Sequence, residues 1–182
     1  MVIGAITGLV GFGLFLTMIL LADQVDNNKQ ADEDELQPVQ SSEESIVMYA
    51  LQHGAFSSRD AAAQYMNENP TLNLATIIPH NQLYYIWSII LPGKHEVSQD
   101  IPSFWKEVTL QNKCSQHPNL LEHFKNLSEN NLLNINEFAT KIPTEWAESL
   151  QKVAILSSDI GVWRVQLLGT DIETSGCIQY NF

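Results

Sequence analysis

From Val2 to Ala22 the chain runs for 21 residues without one charged side chain, and its only hydroxyls are Thr7 and Thr17. At 1.5 Å of rise per residue, a helix of that length spans about 31 Å, one hydrocarbon core. A buried helix of a soluble domain would carry a polar stripe, and this run has none. A cleaved signal peptide would open on a basic segment and close on a small-residue cleavage site. Neither Lys nor Arg precedes the run, and Leu20-Leu21-Ala22-Asp23 is a poor site of that kind. With no cysteine just after it, a lipid anchor is not indicated either. The expectation is a single uncleaved transmembrane helix over residues 1–22. Its short N-terminus would face the cytoplasm and the rest would lie in the periplasm, at the inner membrane. Gly4, Gly8 and Gly11 share one helical face, where small residues let a second membrane helix approach closely.

Asp23–Glu44 holds eight acids and one base, Lys29, and no aromatic residue. Such a segment buries too little surface to offset the entropy of ordering, so residues 23–45 read as an acidic, disordered tether. The whole chain has 9 Lys+Arg against 21 Asp+Glu, a net charge of −12. Nucleic-acid binding is excluded on that balance, because neutralising phosphates needs a basic surface. The remaining chain suits one domain or two very small ones.

Beyond the tether, Ile46–Leu51 is a short apolar run with β-branched and aromatic residues, a buried strand. Ser57 reads as the cap of a helix through Ala62, Tyr65 and Met66, with Asp60 reaching back. Leu74–Ile78 and Leu83–Leu91 read as a hairpin around Pro79-His80-Asn81-Gln82. A helix is expected from Asp100 or Ser103, carrying Phe104, Trp105 and Val108. Further helices are expected at Leu120, Leu121 and Phe124, and at Trp146, Leu150 and Val153. Gly161–Leu168 alternates like a strand, Gly169–Gly176 reads as a turn, and Cys177–Phe182 as a strand pairing back. The sum is an α+β layout: an antiparallel sheet with helices on one face.

The stretch Tyr49-Ala50-Leu51-Gln52-His53-Gly54-Ala55-Phe56-Ser57-Ser58-Arg59-Asp60-Ala61-Ala62 resembles the opening of a SPOR domain, the sporulation-related repeat that binds peptidoglycan. There a first strand ending in Gln-x-Gly-Ala-Phe leads through a serine into an Ala-containing helix. Tyr85–Gly93 sits where the family's third strand would run. The resemblance covers residues 46–110 and implies βαββα order, with residues 111–182 as a helical extension ending in strands. It also implies glycan binding on the open sheet face. Carried over, that face would use Gln52, Ser57, Ser58, Tyr84 and Ser88. Tyr85 and Trp87 share the other side of the third strand. Amides and hydroxyls suit sugar hydroxyls, and aromatic rings suit their C–H faces.

Cys114 and Cys177 are an even pair that would oxidise in an exported domain. His117 and His123 lie near Cys114, but their spacing fits no standard zinc pattern, so no metal is expected. Glu145 with Glu148, or Asp171 with Glu173, read as solvated acids rather than a glycosidase pair. No cofactor and no catalytic activity are expected. The expected function is a single-pass inner-membrane protein that binds glycan strands or anchors an envelope complex. The alternative is an accessory subunit of a secretion or transport machine, contacting other membrane proteins through the glycine face.

Overall fold

The computed structural model describes residues 45–96 and 101–182. Five strands form one antiparallel sheet: β1 (Ser45–Phe56), β2 (Thr76–His80), β3 (Leu83–Leu91), β4 (Phe104–Asn112) and β5 (Ile178–Asn181), in the order β2-β3-β1-β4-β5. The helices are α1 (Arg59–Glu68), α2 (Leu120–Lys125), α3 (Glu129–Leu133), α4 (Ile135–Phe138), α5 (Thr144–Leu156) and α6 (Ile160–Glu173).

β1 is central because its apolar positions serve both faces. Met48 and Ala50 point to one core and Phe56 to another, while Leu51 is buried between them in sequence. Ser58 then takes an extended backbone (φ −143°) and accepts the Ala61 N–H at 3.2 Å, so Ser58 caps α1 where Ser57 was expected to. The β2–β3 hairpin closes through Asn81 and Gln82, both left-handed at φ 49° and 64°. That matches the turn whose twist suits paired strands.

Two segments adopt the opposite state from that expected. Phe104–Asn112 is strand β4, not a helix: its register sets Gln52 against Phe104, Ala50 against Lys106 and Met48 against Val108. A strand buries Val108 and Leu110 on one side with period two, and pairing with β1 outweighs the helical spacing of Phe104, Trp105 and Val108. Ile160–Glu173 is helix α6, not a strand and turn. Asp159 caps it, accepting the Gly161 N–H at 2.7 Å. Trp163, Val165, Leu167 and Leu168 are all buried, because the helix is enclosed on most sides. Gly169 sits inside that helix because an added Cβ would lie 2.4 Å from Thr76 Cγ2. It is a close-packing glycine, not a turn glycine.

Helices cover both faces of the sheet, not one. α1 packs Ala62 on Ile86 with Leu72 and Ala75 beside it. α2–α6 pack Phe124, Trp146, Leu150, Trp163 and Leu168 on the face of Met48, Ala50, Trp87, Ile90, Val108 and Leu110. The order is therefore strand, helix, three strands, five helices, strand, in place of the expected SPOR-like βαββα unit. No helix among the described residues is long and apolar enough to cross a membrane. The expected span Val2–Ala22, its Gly4, Gly8 and Gly11 face, and the tether through Glu44 lie outside the described residues.

Two buried polar groups hold this arrangement. β3 outruns β2, whose pairing stops at Thr76 opposite Trp87. Along that free margin lies α6, and Arg164 donates to the carbonyls of Phe124 (2.9 Å), Lys125 (2.8 Å) and Ile90 (3.4 Å). It thereby satisfies carbonyls at the end of α2 and on β3 at once. Burial pulls the Arg164 pKa down, opposed by the charge of Asp159. Asp171, expected on a solvated face, is fully buried. It accepts from Ile178 N (2.8 Å), Cys177 N (3.1 Å), Ser175 Oγ (2.8 Å) and Trp146 Nε1 (3.3 Å), which turns the chain from α6 into β5. Cys177 is disulfide-bonded to Cys114, with a Cα–Cα separation of 4.9 Å.

Candidate functional site

The β1–β3 register shifts twice, between Ala50 and Gln52 and between Gln52 and Gly54. Two residues of β1 oppose three of β3 in the first interval, and two oppose one in the second. The bulges carry Ser88 and His53, whose Oγ and Nε2 share a hydrogen bond of 2.8 Å. Bulges bend a sheet and increase its twist. Here they leave Gln52 directly opposite Trp87 on the face that curls inward. Trp87 Nε1–H donates to Gln52 Oε1 at 3.4 Å, a long contact. His53 is buried, and desolvation holds its pKa below the ordinary value, opposed by the backbone at Pro102.

The curl carries the two edges of the sheet towards each other. Tyr180 of β5 donates its hydroxyl hydrogen to Pro79 O of β2. Burial raises the Tyr180 pKa above its ordinary value. Beyond β5, the Phe182 ring lies 5.0 Å from Trp87, 4.9 Å from Tyr85 and 4.3 Å from His80, centroid to centroid. Lys106 Nζ sits 5.4 Å from the Phe182 centroid, within cation–π range. Phe104, opposite Gln52 in the ladder, is 54 % exposed at the rim. The result is an aromatic cup filled by the Phe182 ring: Trp87 and Gln52 form its buried floor, Tyr85, His80, Lys106 and Tyr180 surround them, and Phe104 stands at the lip.

None of these eight side chains is a carboxylate, so the cluster brings together aromatic rings, an amide, an imidazole and one cation, and no acid–base pair for glycoside cleavage. Among the described residues no group of three His, Cys, Asp or Glu is placed to hold a metal. His123 packs edge-on against Phe138 instead. Elsewhere, a cleft of about 260 Å³ between α1, β2 and α6 is lined by Arg59, Met66, Thr76, Ile77 and Gln166 among others. Its polar groups already serve each other: Arg59 bonds Glu173 at 2.8 Å, and Gln166 donates to Leu74 O and Thr76 Oγ1.

Of the five glycan-site residues expected from the sequence, Gln52 alone reaches the cup. Tyr84 is on the opposite face, packed with Phe56 and Tyr65 beneath α1. Ser88 is held by His53, Ser57 is exposed, and Ser58 is occupied as a helix cap. Tyr85, Trp87, His80, Lys106, Tyr180 and Phe182 were not among them. Period two along β3 does separate Tyr85 and Trp87 from Tyr84, and Tyr180 and Phe182 are two residues apart. Their meeting depends on the curl, which no local pattern encodes.

The chain matches no protein-family model, no curated protein and no solved structure. These comparisons give no support to the SPOR resemblance, which rests on Tyr49–Ala62 and Tyr85–Gly93.

Proposed function

We propose that the folded unit is a non-catalytic binding module of the cell envelope that holds peptidoglycan glycan strands in the aromatic cup. The observation that carries this is the grouping of the Trp87 and Tyr85 rings with the Gln52 amide and, on the neighbouring strand, Lys106 and the exposed Phe104. Pyranose C–H faces stack on such rings while amide and ammonium groups serve the sugar oxygens. The Cys114–Cys177 disulfide supports an oxidising compartment, and the apolar Val2–Ala22 run supports a place at the inner membrane with the folded unit in the periplasm.

Sedimentation of the detergent-solubilised full chain with intact and amidase-stripped sacculi tests the proposal. Enrichment on stripped sacculi is expected, with Lys106→Ala and Phe104→Ala each weakening it about 5- to 10-fold, the scale of one stacking or charged contact. The second reading, an accessory subunit of a multi-protein assembly, draws on α3 and α5. There Leu133 and Ile155 are 80 % and 85 % exposed, a surface suited to a protein partner. Absence from the sacculus pellet would favour that reading.

A further inference from the structure

The cup is closed by the protein's own chain. Phe182 lies past the β4–β5 ladder, which runs from Ile178–Asn112 to Asn181–Thr109, so its ring contacts and not a strand pairing hold it over Trp87. With it in place Trp87 is fully buried and Gln52 is 4 % exposed, so nothing from solvent can stack on that floor. Just upstream the chain is pinned. Cys177 is in the disulfide, and the Cys177 and Ile178 N–H groups are both fixed on Asp171. From Gln179 onward the segment is held by three paired residues of an edge ladder, the Tyr180 hydroxyl on Pro79 and the Phe182 ring.

We infer that residues 179–182 are a displaceable plug of the cup, pivoting at Ile178, with Phe182 standing where a sugar ring would stack. This rests on the reading of the cup as a glycan site and adds its regulation. A ligand must offer a flat apolar face to compete with a phenyl ring, as a pyranose does. Its apparent affinity is reduced by the fraction of molecules in which the plug is open. The disulfide limits the motion to residues 179–182, which part from Thr109–Gln111 of β4 while β4 stays paired with β1.

Hydrogen exchange of the full chain in detergent, read at the Trp87 indole N–H, tests this beside binding of a hexamer of N-acetylglucosamine as probe. Phe182→Ala is expected to speed Trp87 indole exchange about tenfold while the backbone amides of Met48 and Ala50 keep their wild-type rates, since local opening is separable from global unfolding. Hexamer binding is expected to tighten about tenfold in the same variant. Unchanged indole exchange in both Phe182→Ala and the milder Phe182→Leu overturns the plug. So does equal acceleration at Met48 and Ala50, which would make the segment part of the cooperative fold. Weaker hexamer binding by Phe182→Ala would make Phe182 part of the ligand platform, sinking the plug and sparing the glycan reading. Faster indole exchange with no hexamer binding by any variant leaves the plug standing and removes the glycan reading.

Discussion

Tyr180 on β5 and Pro79 on β2 belong to opposite edges of a five-stranded sheet, yet the tyrosine hydroxyl donates to the proline carbonyl. This contact closes the curl. Pro79 has no N–H to offer a neighbouring strand, so the edge is joined by a side chain and not by a ladder. Tyr180→Phe keeps the ring and removes the donor. A loss of about 1 kcal/mol is expected, seen as a fall of roughly 2–4 °C in melting temperature. An unchanged melting temperature would mean that the edges are held by ring packing alone.

Gly169→Ala should destabilise the fold by about 1–3 kcal/mol, the usual cost of forcing a methyl into a packed contact. The clash is with Thr76 Cγ2 in particular. Combining it with Thr76→Ser, which removes that methyl, should recover most of the loss in a double-mutant cycle of denaturant midpoints. Gly93→Ala, where an added Cβ meets nothing within 4 Å, is the matched control and should be near neutral.

Asp171→Asn replaces a buried carboxylate that accepts four hydrogen bonds by an amide with one acceptor side. The expected cost is about 2–3 kcal/mol, the range for bonds to a charged group. Amides of β5 should lose exchange protection before those of β1. Equal loss in both strands would show that Asp171 does not organise β5 specifically.

Reduction of Cys114–Cys177, or paired Cys→Ala substitution, opens a loop closed at a sequence separation of 63. The chain-entropy account puts the loss at about 4 kcal/mol. Chemical denaturation with and without a dithiol reductant measures it directly.

His53 titrates below its ordinary value of 6.5, because burial disfavours the imidazolium. The unfolded chain therefore takes up a proton that the folded state refuses, so stability rises with pH in this window. Its contribution is intact above about pH 6.5 and is eroded as pH falls below that value. Urea midpoints of the wild type should drop between pH 7 and 5, and those of His53→Gln should drop less. Parallel curves would remove His53 as the cause.

The hairpin around Asn81-Gln82, the strand through Met48 and Ala50, and the helix opening after Phe56 were legible from residues alone. Each is set by neighbours a few positions away: turn residues tolerant of positive φ, a β-branched run, a serine before an alanine-rich stretch. Phe104–Asn112 and Ile160–Glu173 were not legible. Their apolar residues satisfy both a period of two and a period near four, and the decision was made by what stood ready to bury them. β1 offered an open edge to the first, and the sheet margin with the α2 carbonyls enclosed the second around Arg164.

Local chemistry thus settled where the chain turns, which cysteines could pair, and that an amide at position 52 shares a face with Met48 and Ala50. Long-range packing settled the rest: two bulges shifted the β1–β3 register so that Gln52 meets Trp87 and not Ser88, and the curl brought Tyr180 and Phe182 across from the far edge. The reason is physical. Strand faces alternate every residue, so a one-residue bulge reverses what points where; the bulge is held by His53 and Ser88, 35 positions apart, and the curl by Pro79 and Tyr180, 101 apart.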